Sequence, residues 1–138
     1  MSEANKELVR AYTREVFDEG NADAVDRYLA PHFYNHVTGR WGTEDFKQLA
    51  AEIGGSAGSA NAIDFLVAED DLVVAFMTVT RTVQEDTRLF GFDVPGEGRS
   101  YTVHHVHVYR VADGKLREHW ALRDDIGMLR QLGVLEGR

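Results

Sequence analysis

An α+β domain is predicted by a change of period partway along the chain. Before residue 54 apolar side chains recur at helical spacing, and after residue 59 they alternate as in strands. A second observation is the stretch Leu72 to Val83, a long strand apolar on both faces in its first half, which implies layers on both sides. The third is Asp113-Gly114, a strong hairpin signal between a β-branched run and a second strand. Helices first and antiparallel strands afterwards pack as helices on one face of a bent sheet, and a cavity can open between the two layers.

Each element follows from its local sequence. From Glu3 to Glu19 the residues Leu8, Tyr12 and Val16, widened by Val9 and Phe17, form one apolar stripe, and Gly20 offers a stop. Asn21 is a suitable N-cap for a shorter helix carrying Val25, Tyr28 and Leu29 and ending by Pro31, after which His32 to Val37 reads as extended. Gly42-Thr43-Glu44-Asp45 opens a third helix, capped by Thr43, with Phe46, Leu49, Ala50 and Ile53 as its apolar face. Gly54 to Ser59 is a flexible loop. Ala62 to Ala68 and Leu72 to Val83 are strands joined by a turn at Asp70-Asp71. Gln84 to Gly98 is polar, a long loop or a loop holding a short strand near Leu89 to Phe92. Tyr101 to Val111 and the run after Gly114 complete the sheet, and a last helix from about Asp125 to Leu132 stops at Gly133.

Composition excludes several classes. A chain of 138 residues fits a single domain over residues 1–138. The formal net charge of -8, with 15 scattered basic residues, is unsuited to a phosphate backbone, so nucleic acid is not expected as a partner. No apolar run approaches the ~20 residues of a bilayer span, and the first residues lack the pattern of a signal peptide, so the expectation is a cytoplasmic protein without a membrane partner. With no cysteine, disulfides, thiolate metal sites and cysteine nucleophiles are excluded.

The terminal strand is where chemistry is expected. If it runs unbroken, Leu116, Glu118, Trp120, Leu122 and Asp124 share one face, with Arg117, His119, Ala121 and Arg123 on the other. Asp124 would then lie at the edge of an apolar surface walled by Trp120, leaving Asp125 to cap the last helix. Among His104, His105 and His107, the latter two share a strand face, and His107 is the one expected in the pocket. Two histidines at strand spacing arise often by chance, so no metal is expected. Tyr12, Phe33, Trp41, Phe46 and Phe76 are candidate pocket lining that doubles as core. Glu118 either pairs with a base such as Arg81 or Arg110 or supplies a second acid to the cavity.

Two stretches carry a family resemblance. The N-terminal half reads Asn5 to Tyr12, then Val16-Phe17-Asp18-Glu19-Gly20-Asn21, then Tyr28 to His36. The C-terminal half reads Tyr109-Arg110-Val111, Asp113-Gly114-Lys115-Leu116, Glu118-His119-Trp120, Asp124 and Gln131-Leu132-Gly133. In order and spacing this resembles the SnoaL-like polyketide cyclases of the nuclear transport factor 2-like superfamily. The resemblance implies a cone-shaped α+β barrel, with N-terminal helices on a strongly curved, mainly antiparallel sheet enclosing a pocket. It also implies dimerisation through the sheet and a cofactor-independent intramolecular aldol closure. Asp124 aligns with the family's acid/base aspartate, and His36 with a histidine suited to stabilising an enolate oxygen. Two stretches depart from the pattern: Gly54 to Asn61 is glycine-rich, and Glu85-Asp86-Thr87 stands where relatives often carry Gly-Thr-His.

The leading expectation is thus a cofactor-free cyclase or isomerase acting on a hydrophobic carbonyl compound, with Asp124, His36 and His107 catalytic. Trp120, Tyr12, Phe33, Trp41, Phe46, Phe76 and Glu118 would contact the substrate. One rival is an epoxide hydrolase, which needs a second acid and an arginine in the pocket. The other is a non-catalytic dimer that holds a small hydrophobic ligand.

Overall fold

The computed structural model describes residues 2–53, 58–89 and 91–135, the side chain of Ile53 excepted. Helix α1, Ser2–Tyr12, continues over Thr13–Asp18 in wider π-type turns, and together these bury Val9, Tyr12, Thr13 and Val16. Gly20, at φ +68°, ends this stretch. Asn21 then caps as expected, its side chain accepting from the Asp23 amide at 3.1 Å, and a single 3-10 turn, Ala22–Ala24, leads into α2, Val25–Tyr28.

Strand β1, Leu29–Asn35, begins three residues before the expected extended piece and includes Pro31. Its pairing slips between Leu29 and Tyr34, where Pro31 has no N–H to give to a ladder. A short strand β2, Arg40–Trp41, folds back on it, and α3, Glu44–Ile53, follows. Thr43 stands at the cap position of α3, but its hydroxyl donates to Asp26 Oδ1 at 3.2 Å while its carbonyl accepts from Phe46 and Lys47. Of the expected Gly/Ser loop, Gly54 to Ala57 lies outside the described residues.

The remaining strands are β3 (Ala60–Glu69), β4 (Leu72–Val83), β5 (Thr87–Leu89), β6 (Phe92–Val94), β7 (Arg99–Ala112) and β8 (Lys115–Arg123), and helix α4 is Asp125–Gln131. Asp113 and Gly114, at φ +52° and +75°, make the tight β7–β8 turn that the Asp-Gly pair predicts. The stretch 84–98 folds partly into a small two-stranded sheet, β5–β6. The main sheet has the order β2-β1-β8-β7-β4-β3, antiparallel throughout except for the parallel β1–β8 pair, so it is open rather than closed. Irregular registers at Ile63/Phe65 on β3 and at Arg110/Val111 on β7 bend the sheet, as bulges do.

The bend gives the sheet an inner face, covered by the helices, and an outer face. Val73, Ala75, Met77 and Val79 of β4, Tyr109 and Val111 of β7 and Leu116 of β8 pack inward against Val9, Tyr12, Val16, Val25, Leu29, Phe33 and Phe46. A second cluster joins Met128, Leu129 and Leu132 of α4 to Val94 and Val103. The Gln131-Leu132-Gly133 motif has a structural role here. Gln131 exchanges hydrogen bonds with the backbone N–H and C=O of Thr102 at 2.8 and 2.9 Å, Leu132 is fully buried, and Gly133 at φ +78° ends the helix.

The β7–β8 register overturns one expectation. Val111 pairs with Leu116, yet Arg110 pairs with Glu118, so β8 carries one extra residue at Arg117. That bulge breaks the alternation and sends Glu118, Trp120 and Leu122 to the face opposite Leu116. These residues lie on the outer face, and His119, Ala121 and Arg123 point inward.

Candidate active site

A row of polar side chains crosses the inner face. His105 and His107 stand two apart on β7, which puts both on the concave side, and the β8 bulge brings His119 beside them. His105 Nδ1 lies 3.2 Å from His107 Nε2, and His107 Nδ1 lies 2.8 Å from His119 Nε2. His119 Nδ1 lies 3.0 Å from Asn35 Oδ1 at the end of β1. The rings of His107 and His119 stack with centroids 5.1 Å apart, and Tyr109, Phe33 and Phe46 pack around His119. Three imidazoles and one carboxamide thus form one hydrogen-bonded row in a largely apolar layer.

Burial governs their charge. Desolvation lowers His107 to about 3, helped by the neighbouring His119 and His105 and by the guanidinium groups of Arg123 and Arg81. His119 is lowered to about 4 by burial, then by Arg123 and His36. Burial likewise lowers His105 to about 4, with Arg123 and Arg81 adding to the effect. All three are therefore neutral at pH 7 and can both donate and accept.

Beyond His105 the row meets charge. Arg81 is itself partly desolvated, which lowers its pKa, and it donates to Asn61 Oδ1 at 2.6 Å. Tyr101, paired with Arg81 across β4 and β7, is raised by burial and feels Arg81, Arg123 and Asp125. Asp125 Oδ1 is 3.6 Å from Arg123 Nε. Deeper in, Tyr12 is fully buried and its hydroxyl has no hydrogen-bond partner among the described residues. Desolvation holds that phenol well above its ordinary pKa.

The expected site residues divide between the two faces. His107 lies in the inner row, and Tyr12, Phe33 and Phe46 are buried in the inner layer beside it. His36, Trp120, Glu118 and Phe76 lie on the outer face, and Trp41 is 72% exposed against Tyr34. There His36 stacks on Trp120 with centroids 4.4 Å apart, and its Nε2 is 3.0 Å from Glu118 Oε1. Arg110 Nε donates to Glu118 Oε2 at 2.7 Å, so of the two roles foreseen for Glu118 it takes the ion pair with Arg110. Hydrogen bonds from His36 and then Arg110 hold Glu118 below the usual carboxylate range. A groove of about 310 Å³ beside this cluster is lined by His36, Val37, Val106, Val108, Trp120, Ala121 and Leu122.

Asp124 differs most from expectation. It, and not Asp125, caps α4: its exposed carboxylate accepts from the Gly127 amide at 2.9 Å. A Cβ on Gly127 would run into that carboxylate, so a side chain there would displace the capping group. Sequence reasoning passed over His119, Asn35, Arg81 and Arg123. An unbroken strand would put His119 on the face opposite the pocket, and the bulge at Arg117 turns it inward. Asn35 stands next to His36 in the same segment, and strand alternation alone would have put the two on opposite faces.

The sequence profile of the SnoaL-like polyketide cyclases matches residues 6–132. This chain is a member of that family. A curated relative, nogalonic acid methyl ester cyclase of Streptomyces nogalater, is 29% identical over 123 residues, covering 85% of this chain and 89% of the relative. The structure of TsrD from Streptomyces laurentii superposes with a TM-score of 0.80 at 25% identity, over 96% of this chain and 97% of that one. A crystal structure from Acidithiobacillus ferrooxidans gives 0.76 at 30% identity over 94% of each chain. The open curved sheet with its N-terminal helices is the cone fold of these cyclases. Among the described residues no helix is long and apolar enough to cross a membrane.

Proposed function

We propose that this protein is a cyclase or isomerase that moves a proton on a hydrophobic carbonyl compound held at the inner face, without a cofactor. One observation carries the reading: the imidazole row His105–His107–His119, uncharged, buried at His119, half-buried at His107 and His105, and ending beside Arg81 and Arg123. Burying imidazoles is costly unless their nitrogens are hydrogen-bonded, and the uncharged, half-buried imidazole at the end of the row is suited to accept a proton transiently from a bound substrate. The two guanidinium groups are suited to stabilising an enolate or alkoxide oxygen as charge develops. In this reading His107 works within the row, Tyr12 offers its free hydroxyl to the ligand, and Asp124 acts by holding the start of α4, which carries Asp125 toward Arg123. The outer cluster of His36, Glu118 and Trp120 then serves assembly, with a second copy of the chain covering Phe65, Val67 and Leu122.

The test uses the substrate named for the curated relative. Nogalonic acid methyl ester is incubated with the protein, and chromatography with mass detection follows a product of unchanged mass in H2O and, in a parallel incubation in D2O, the added mass of deuterium at the carbon next to the carbonyl. Cyclisation or exchange that falls at least tenfold in His107→Gln supports the reading. Saturable quenching of tryptophan fluorescence by the ester, with neither product nor exchange, favours the ligand-binding alternative.

A further inference from the structure

The hydrogen-bonded row has a direction, and a single backbone amide sets it. The Val37 amide donates to Asn35 Oδ1 at 3.1 Å, and because a backbone N–H can only donate, the atom at that position is the carboxamide oxygen. The same oxygen faces His119 Nδ1 at 3.0 Å, so Nδ1 of His119 carries the proton. In a neutral imidazole the other nitrogen is then a bare acceptor. His119 Nε2 therefore accepts, and His107 Nδ1, at 2.8 Å, must donate to it. The same step repeats once more: His107 Nε2 accepts, and His105 Nδ1, at 3.2 Å, donates. All three rings are forced into the Nδ1–H tautomer, and the free lone pair at the end of the row belongs to His105 Nε2.

We propose that Asn35 is a positioning residue that orders the tautomers of His119, His107 and His105, and that His105 Nε2 is the catalytic base it presents to substrate. The second half of this inference rests on the reading of the inner face as the reaction site; the tautomer order does not. Among the described residues His105 Nε2 has no hydrogen-bond partner, and His105 is only half-buried, so a ligand can reach it. The charged and titratable groups around it are Arg81 from β4, Arg123 from β8, Tyr101 and His107 from its own strand, Asp125 from α4 beside Tyr101, and Asp18 from the turns after α1, near Arg81.

The aldol closure that the family resemblance implies, on a carbon acid between two carbonyl groups, can be written on this geometry with His105 as base and two guanidinium groups beside the developing oxygen charge. His105 Nε2 takes the proton from the carbon between the carbonyls, and the C–H electron pair becomes the enolate, whose oxygen faces Arg123 or Arg81. The enolate carbon forms a C–C bond to the carbon of a further, third carbonyl group in the same molecule. The π electrons of that carbonyl move to its oxygen, which takes the proton back from His105. Atoms and charge balance with no co-reactant, and the product is an isomer of the substrate.

Imidazole 15N NMR of the histidine-labelled protein at pH 7.5 reads the tautomers directly, with His105→Gln, His107→Gln and His119→Gln as assignment controls. The expected pattern is a protonated, pyrrole-like Nδ1 and a bare, pyridine-like Nε2 on all three rings. A protonated Nε2 on His107 or His119 overturns the ordering. In Asn35→Leu the anchor is lost, and the expected result is mixed tautomers on His119 and His107 with kcat on a 1,3-dicarbonyl substrate reduced at least tenfold. Asn35→Asp keeps the acceptor oxygen and is expected to restore Nδ1–H on His119 while shifting the pH profile upward. An unchanged tautomer pattern in folded Asn35→Leu overturns the role of Asn35. If the ordering is found but His105→Gln exchanges substrate deuterium as fast as the parent protein, His105 is not the base. If the parent protein itself shows no exchange, the functional reading fails while the tautomer order stands.

Discussion

The two faces of the sheet use histidine in opposite ways, and adjacent residues of the same strands supply both. On the inner face His105, His107 and His119 are desolvated, lowered to between about 3 and about 4, and bonded to one another and to Asn35. On the outer face His36 meets the carboxylate of Glu118, which Arg110 also holds, and Arg110 reaches Asp71 at 2.9 Å. A neutral row among aromatic rings can take and return a proton. A solvated network of opposite charges gives orientation and solubility but little else. Residue type is therefore a poor guide to chemistry in this fold, and the face is a good one.

The contrast is sharpest in packing. Phe33 is fully buried and Leu122 is 77% exposed, so Phe33→Ala is expected to cost about 3–5 kcal/mol in urea unfolding and Leu122→Ala less than about 0.5 kcal/mol. If a second copy of the chain covers the outer face, Leu122→Glu leaves the monomer folded but lowers the mass seen by sedimentation velocity. An unchanged mass would remove the outer face from assembly.

Acid sensitivity separates the faces next. The inner histidines have folded-state pKa values below the ordinary 6.5, so the unfolded chain binds more protons than the folded one as the pH falls. Their contribution is complete above about pH 6.5 and is lost between there and about pH 4 for His105 and His119 and about pH 3 for His107, with a slope of at most ~1.4 kcal/mol per pH unit for each histidine. Glu118, whose pKa is also lowered, adds its loss only below about pH 4.5. Urea melts from pH 7 to pH 4 should be visibly shallower in pH dependence for His119→Gln than for the parent protein.

A smaller effect distinguishes capping from catalysis at Asp124. Asp124→Ala is expected to cost about 1 kcal/mol, and Asp124→Asn almost nothing, because asparagine caps equally well. Gly127→Ala should cost about as much as losing the cap, since its methyl group displaces the same carboxylate. Activity surviving in Asp124→Asn would agree with a purely structural aspartate, whereas its loss in a fully stable variant would return Asp124 to the chemistry. A small change is also expected at Glu118→Gln, under about 1 kcal/mol, since its partners remain partly solvated.

Sequence alone determined the elements of this protein and their order, because periodicity, caps and tight turns are local physics. The first helix, the Asn21 cap, the strand Leu72–Val83, the Asp-Gly turn and the terminal helix are all readable from a few neighbouring residues. The family resemblance carried the cone fold with them. The site was less legible, because membership of a face depends on register, and register is set by pairing between strands far apart in the chain. One extra residue at Arg117 reversed the faces of Glu118, Trp120 and His119. The parallel pairing of β1 with β8 then brought Asn35 to His119, 84 residues away. Tertiary structure alone decided which histidines would be neutral, since desolvation and the Asn35 anchor exist only once the helices close over the inner face.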